Sequence, residues 1–496
     1  MQPSMCGSPL VPPSRRVTHD PYGSSSDRRV PRSHRHNLPL MEMFGLDADN
    51  EAMVRKVVDQ VLERFREQPG IRTVPKVEEL AANVGETITP AGLGPDEALR
   101  LYTEYLAPAS VASDHPRYLA FVAGAPTTAS SVFDLVISSS AQCGAFWLDG
   151  AGMVHAENAA MRWIADLAGL PAEANGCFVT GGTTGNLSAL VTAREAARRS
   201  LQAAGLDRPK AWAVVCAEST HSSVDSAARV MDVEVIRAEL NAEHRLTGSS
   251  VAAAIDGRPD DTEVFAVVAT AGTTNIGIVD DLESIADACN EAELWLHVDG
   301  AYGAGALVAP SVRHRFDGIE RCDSLVVDPH KWLLSPFDCA ALVYRDPTQA
   351  RLAHTQHAGY LDVVTDDAAY NPSDHAHVLT RRARGMPFWF SLAVHGTDAY
   401  RDAIEHTLSV ARATRDFVVA AEHLELLVEP ELSVVAFRRR GWGVDDYQAW
   451  CDRLMAGGTA MLTPTTFEGE PAMRVCIINP RTTVDDLAEI LATLQP

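Results

Sequence analysis

The chain has 496 residues, a net charge of −24 and a hydrophobic share of 46%. Its length calls for roughly two to four packing units, and its acidity argues against nucleic acid or an anionic membrane as the main partner, because both repel such a surface. No apolar run approaches the ~20 residues that span a bilayer. The nine cysteines are scattered singly without zinc-like spacing, which fits reduced thiols in a cytoplasmic protein.

Residues 1–40 form a tail rich in Pro, Ser and Arg. It lacks the apolar core of a secretory signal and is expected to be disordered, since it has too little apolar surface to offset chain entropy. A helical arm is expected over 41–115. There Ala52–Phe65 repeats apolar residues at helical spacing, and Asp96–Tyr105 reads as a second helix. A large α/β domain is expected over 116–390. It opens with a helix at Ala156–Leu170, which Gly169 and Pro171 end.

Six short apolar runs follow as strands: Cys177–Thr180, Ala213–Cys216, Val264–Thr270, Leu294–Val298, Ser324–Val327 and Cys339–Val343. Helical segments separate them, among them Gly185–Arg198, Ser222–Met231 and Leu282–Cys289. The alternation predicts an α/β fold with a largely parallel central sheet, whose sites lie at the carboxyl ends of strands. Arg351–Leu379 reads as a long loop, followed by one helix from Trp389 through Val418. Residues 391–496 predict a small α+β domain, with strands at Ser433–Phe437 and Ala472–Ile478 and helices at Val444–Met455 and Thr483–Leu494.

Five strand ends carry residues of chemical interest. In Ser324–Leu334, a strand runs into a turn bearing His330 and Lys331 between apolar neighbours. A lysine so placed can form an imine with an aldehyde cofactor once its amine is deprotonated; a lone lysine is ordinarily a surface residue. In Leu294–Tyr302 the strand ends at Asp299. A carboxylate there can keep a pyridine nitrogen protonated, making the ring an electron sink, with Ala301 small enough to lie under the ring. Taken alone, Asp299 reads equally well as a turn cap.

Phe178–Ser188 is a glycine-rich turn opening a helix, with Thr183 and Thr184 as added donors. It suits a phosphate and has neither Walker nor dinucleotide spacing. His221 follows another strand and can stack on a ring and move protons, or simply cap its helix. Thr274 lies in the turn after Val264–Thr270, where it can bond a ring oxygen or serve only the turn.

Together these segments resemble the group II pyridoxal-phosphate-dependent amino-acid decarboxylases, the family of aromatic-L-amino-acid decarboxylase. The likeness runs from about residue 50 to the end. Its most specific parts are His297–Tyr302, Asp328–Trp332, His115–Tyr118 and Arg381–Trp389. The resemblance implies a fold type I transferase architecture, pyridoxal phosphate as cofactor, a small L-amino acid as substrate, and a homodimer with the active site at the interface. It also implies roles for individual residues: Lys331 as the Schiff-base lysine, Asp299 on the pyridine nitrogen, and His221 stacked on the ring. Thr183 and Thr184 lie by the phosphate, Thr274 by the ring oxygen, and His330 faces the substrate.

The chain departs from the family pattern in three places. Gly300 stands where Ala is common, Asp328 where several members carry Asn, and the turn reads Gly-Gly-Thr-Thr-Gly where animal members have Ser and Ala. All three are compatible with cofactor binding, but substrate identity does not transfer across them.

In the family, a tyrosine on a mobile loop is linked to the acid that reprotonates the substrate carbon. Tyr370 lies in the corresponding loop, with Tyr360 as second candidate. Relatives without that tyrosine release an aldehyde instead of an amine. Phe121 and Val122 are expected to form an apolar wall favouring an aromatic or other non-acidic side chain, and Arg117 is the one basic candidate for an acidic substrate. A non-catalytic binding role on the same fold would leave the protein without a lysine-bound cofactor.

Overall fold

The computed structural model of the protein describes residues 45–357 and 370–495. The chain divides into two units, Met1–Asp59 and Gln60–Pro496. Asp47 caps the helix Ala48–Arg66 by accepting from the backbone N–H groups of Asp49 and Asn50 at 3.1 and 2.9 Å. No residue of that helix is buried, although Val54, Val57, Val58, Leu62 and Phe65 line up along it. The 1–40 tail lies outside the described residues.

The second unit is built on a seven-stranded sheet. In chain order its strands are β1 (Asn175–Val179), β2 (Ala211–Ala217), β3 (Glu234–Ala238), β4 (Thr262–Thr270), β5 (Trp295–Asp299), β6 (Ser324–Val327) and β7 (Ala340–Tyr344). Their spatial order is β1-β7-β6-β5-β4-β2-β3. The pairs β2/β3, β2/β4, β4/β5 and β5/β6 are parallel, and β7 runs antiparallel to both β1 and β6. Helices cover both faces, so central strands such as β4 are buried almost throughout and read as unbroken apolar runs. The sheet's edge strand β3, with its charged and half-exposed residues, gave no such signal in the sequence. The carboxyl ends of β1, β2, β4, β5 and β6 meet along one edge, where the glycine turn, Asp299 and Lys331 also lie.

A second sheet comprises β8 (Leu424–Leu426), β9 (Val434–Arg439), β10 (Pro464–Phe467) and β11 (Glu470–Cys476), antiparallel in the order β10-β11-β9-β8. One core joins Val435, Phe437, Met473 and Val475 of this sheet to Trp450 and Leu454 of the helix Val444–Ala456, and to Leu487 and Ile490 of the helix Val484–Ala492.

Two expectations need correction. The helix expected from Trp389 through Val418 is two helices, Met386–His395 and Thr397–Ala420, broken at Gly396 with φ +76°. The stretch 351–379 also contains structure: the helix Pro347–His354, capped by Asp346, extends into it, and a short 3₁₀ turn spans Pro372–His375.

One buried ion pair ties the large sheet to its flanks. Arg381 and Glu157 meet at 2.7 and 3.0 Å, each side chain 3% exposed. Arg381 also donates to the carbonyls of Phe178 on β1 and of Gly144, while Glu157 accepts from Gly385 N–H. The strand leading into the glycine turn is thereby held from below. Among the described residues no helix is long and apolar enough to cross a membrane.

Candidate active site

β1 delivers the chain through Thr180 and Gly181 into the helix Gly182–Ala203. The first N–H groups of a helix have no partner within it and carry the positive end of its dipole. Here they open on a cavity of about 210 Å³ lined by Gly181, Gly182 and Thr183. Close packing explains the glycines. A Cβ on Gly185 would lie 2.6 Å from Val326 Cγ2, and one on Gly182 would lie 3.1 Å from Ala301 Cβ. Thr183 faces the cavity, whereas Thr184 turns its hydroxyl to Thr180 Oγ1 at 2.7 Å.

Asp299 enters from the end of β5 and is 5% exposed. Its Oδ1 accepts from Ala301 N–H at 3.1 Å, and its Oδ2 accepts from the amide of Asn186 at 2.8 Å. That bond orients the amide, so Asn186 Oδ1 accepts from His297 Nε2–H at 2.9 Å. His297 Nδ1 then accepts from the Ser324 hydroxyl at 2.8 Å, and Ser324 accepts from Trp295 Nε1–H. Burial pushes His297 down to about 4, so the ring stays neutral and the chain of donors is consistent. Asn186 also donates to Ser223 Oγ at 2.9 Å, and Ser223 bonds His221 Nδ1 at 2.8 Å. One amide therefore orients both Asp299 and His221. Sequence reasoning gave Asn186 and Ser223 no role; the signal was their place within the two motifs.

Lys331 is the fourth residue after β6, in a turn closed by its N–H on the Asp328 carbonyl at 2.9 Å. Its ammonium sits 2.9 Å from Asp328 Oδ2. Burial pushes the Lys331 pKa down and the carboxylates of Asp328 and Asp299 pull it up, with a net rise. His330 Nδ1 accepts from Cys339 N–H at 3.0 Å, leaving Nε2 to carry the proton, and burial pushes its pKa down.

Lys331, Asp299, Ala301, His221, His330, Thr183 and Thr274 all line the one cavity, joined by Asn186, Ser223, Thr270, Tyr302 and Asp328. Gly300 has a packing reason: a Cβ there would lie 2.5 Å from Ala304 Cβ. Tyr370 is not brought to the cavity. Its hydroxyl donates to Gly176 O, near the start of β1, at 2.5 Å and its ring stacks on His375. Tyr360 lies outside the described residues. Arg117 is engaged by Asp486 at 2.7 Å and Glu489 at 2.5 Å, so it is not a free clamp for an acidic substrate. Gly124 abuts the lysine turn, since a Cβ there would strike the His330 carbonyl, whereas Phe121 and Val122 are not among the residues lining the cavity.

The donor set fits pyridoxal phosphate. It offers an amine, an anion-binding helix terminus and a buried carboxylate. Asp328 Oδ1, buried without a hydrogen-bond partner, adds an acceptor beside the amine.

The model of the pyridoxal-dependent decarboxylase conserved domain matches residues 96–440. The chain belongs to the pyridoxal-dependent decarboxylase family. It is accordingly a pyridoxal-phosphate-dependent carboxy-lyase of fold type I. The chain is 32% identical over 423 residues to an aromatic-L-amino-acid decarboxylase of Bacillus atrophaeus, covering 83% of this chain and 87% of that protein. It is 32% identical over 390 residues to an L-2,4-diaminobutyrate decarboxylase of Rhizobium meliloti, covering 76% and 77%. A 4-hydroxyphenylacetaldehyde synthase of Rhodiola rosea is 27% identical over 335 residues, covering 65% and 67%. The crystal structure of Oryza sativa TDC with PLP and tryptamine superposes with a TM-score of 0.83 at 23% identity, covering 90% of this chain and 97% of that one; at this identity the likeness speaks for the fold.

Proposed function

We propose that this pyridoxal-dependent decarboxylase converts an L-amino acid with an aromatic or other non-acidic side chain to its amine and CO₂, with Lys331 carrying the cofactor. The observation that carries the reading is the convergence of Lys331, Asp299 and the Gly181–Thr183 helix terminus on one cavity. When bound, pyridoxal phosphate supplies a conjugated ring that accepts the electron pair of the breaking bond. Asp299, fixed on both oxygens, would hold a proton at the ring nitrogen. The N–H groups opening the helix Gly182–Ala203 and the Thr183 hydroxyl would hold the phosphate, and Thr274 would serve the ring oxygen. His221, oriented through Ser223, would serve the ring face. His330, with its proton on Nε2, faces the substrate.

The engagement of Arg117 by two carboxylates supports a non-acidic substrate. In a single chain Phe121, Val132, Leu135, Val136, Trp147 and Leu148 are exposed. That much apolar surface supports a homodimer with the site at its interface. The described cysteines are all free, which supports a cytoplasmic location.

One observation favours a second reading, aldehyde formation: the Tyr370 hydroxyl is bonded to β1 and does not reach the cavity. A panel of L-amino acids, scored for CO₂ and for amine against aldehyde, ammonia and peroxide, tests both. Amine and CO₂ from an aromatic substrate is the expected result. Release from acidic amino acids alone would overturn the substrate class.

A further inference from the structure

Asp328 is a departure whose place in the site goes beyond cofactor binding. It is the first residue after β6 and is 2% exposed. The turn that follows puts residues 328 and 331 on the same side, so the Asp328 carboxylate and the Lys331 amine face each other across 2.9 Å. Lys331 Nζ and Gly182 N–H, the latter at 3.3 Å, point to Asp328 Oδ2, and His330 Nε2 lies 3.5 Å from the same oxygen. The other carboxylate lining the cavity, Asp299, already has both oxygens engaged by Asn186 and Ala301.

We infer that Asp328 is the counter-ion of the Lys331 nitrogen, keeping it positively charged both in the free amine and in its linkage to the cofactor. The charge on the nitrogen is the same before and after the cofactor is attached. Net condensation of the lysine ammonium with an aldehyde releases one water and forms one C=N bond; the amine gives up a proton before it attacks, and a proton regained on the linkage leaves a single positive charge on the same nitrogen. A fixed carboxylate beside that nitrogen therefore serves before and after the bond forms. A protonated linkage is also the better electrophile toward the incoming amine of a substrate. An Asn at this position fills the same volume and can still accept from Gly182 N–H, but it supplies no charge. Besides Asp328, the other titratable groups lining the cavity around Lys331 are Asp299, His330, His221 and Tyr302. The net rise in the Lys331 pKa, produced against burial by Asp328 and Asp299, accords with this.

The inference rests on Lys331 carrying the cofactor. Its test is a pH titration of the visible absorption of the loaded protein, comparing the wild-type chain with Asp328→Asn. An opposite charge within a few ångströms moves a pKa by about 1–3 units. The midpoint for losing the protonated linkage is therefore expected to fall by about one to three pH units in the variant. An unchanged midpoint in a variant that still shows the absorption overturns the counter-ion and leaves the Lys331 assignment standing. Absorption that survives Lys331→Ala would instead defeat that assignment. If Asp328→Asn takes up no cofactor, the same comparison is made on both cofactor-free chains. The readout is then the pH midpoint for modification of Lys331 by an amine-reactive reagent, located by peptide mass spectrometry. A lower midpoint in the variant is expected, and equal midpoints overturn the inference.

Discussion

Replacing Asn186 with alanine tests whether one buried amide sets the electrostatics of the site. The substitution removes the 2.8 Å bond to Asp299 Oδ2 and the 2.9 Å bonds to His297 and Ser223. A hydrogen bond to an ionised group is worth about 1.5–3 kcal/mol. Asp299 would keep only the Ala301 N–H, so its charged form loses up to that amount when it pairs with the ring nitrogen. Because each 1.4 kcal/mol is about tenfold in affinity, cofactor binding should weaken by roughly ten- to 150-fold. His297 Nε2–H would be left buried without an acceptor, costing about 1–3 kcal/mol of folding stability. The assay is equilibrium titration of the cofactor-free variant with pyridoxal phosphate, read by absorbance, alongside urea unfolding. An affinity within about twofold of wild type, in a folded variant, would show that Asn186 does not orient Asp299 and would refute the chain of donors from Trp295 to the carboxylate.

Three further outcomes follow from buried groups. Glu157→Ala leaves Arg381 charged and unpaired below β1, so chemical unfolding should register a loss of about 3–5 kcal/mol; a loss under about 1 kcal/mol would mean the pair carries little. Tyr370→Phe should cost about 1 kcal/mol through its bond to Gly176 O and leave the ratio of amine to aldehyde unaltered; a shift toward aldehyde would restore Tyr370 to the reaction. Burial pushes His375 down to about 3, so between pH 6.5 and that value the unfolded chain binds the extra proton and stability falls as pH is lowered. That component amounts to about 1.4 kcal/mol per pH unit. Urea unfolding from pH 7 to 5 should show a shallower fall in His375→Phe than in wild type, and equal slopes would exclude His375 as a source.

Much of the site was legible because each key side chain sits at a strand end, where an apolar run stops and a reactive residue follows. The six runs read as strands are β1, β2 and β4 to β7, and Asp299, Lys331, His221 and Thr274 follow or end four of them. Local sequence does not report which residues face each other across the sheet. Asn186 reads as an ordinary early helix residue until β5 brings Asp299 to 2.8 Å from it. Thr183 and Thr184 are indistinguishable in sequence, yet the helical rotation between neighbours turns only the first to the cavity. The break at Gly396 was legible in principle, because a glycine interrupts the helical pattern, but continuous apolar periodicity on both sides outweighed it. Arg117 was separated from its partners Asp486 and Glu489 by most of the chain, so its engagement became visible only in the folded structure.

The account depends on one covalent attachment, which borohydride reduction can trap. After reduction and digestion, the mass of the reduced cofactor should appear on the peptide containing Lys331, and Lys331→Ala should acquire none. Cofactor mass on another lysine, or equal retention by the alanine variant, would contradict it.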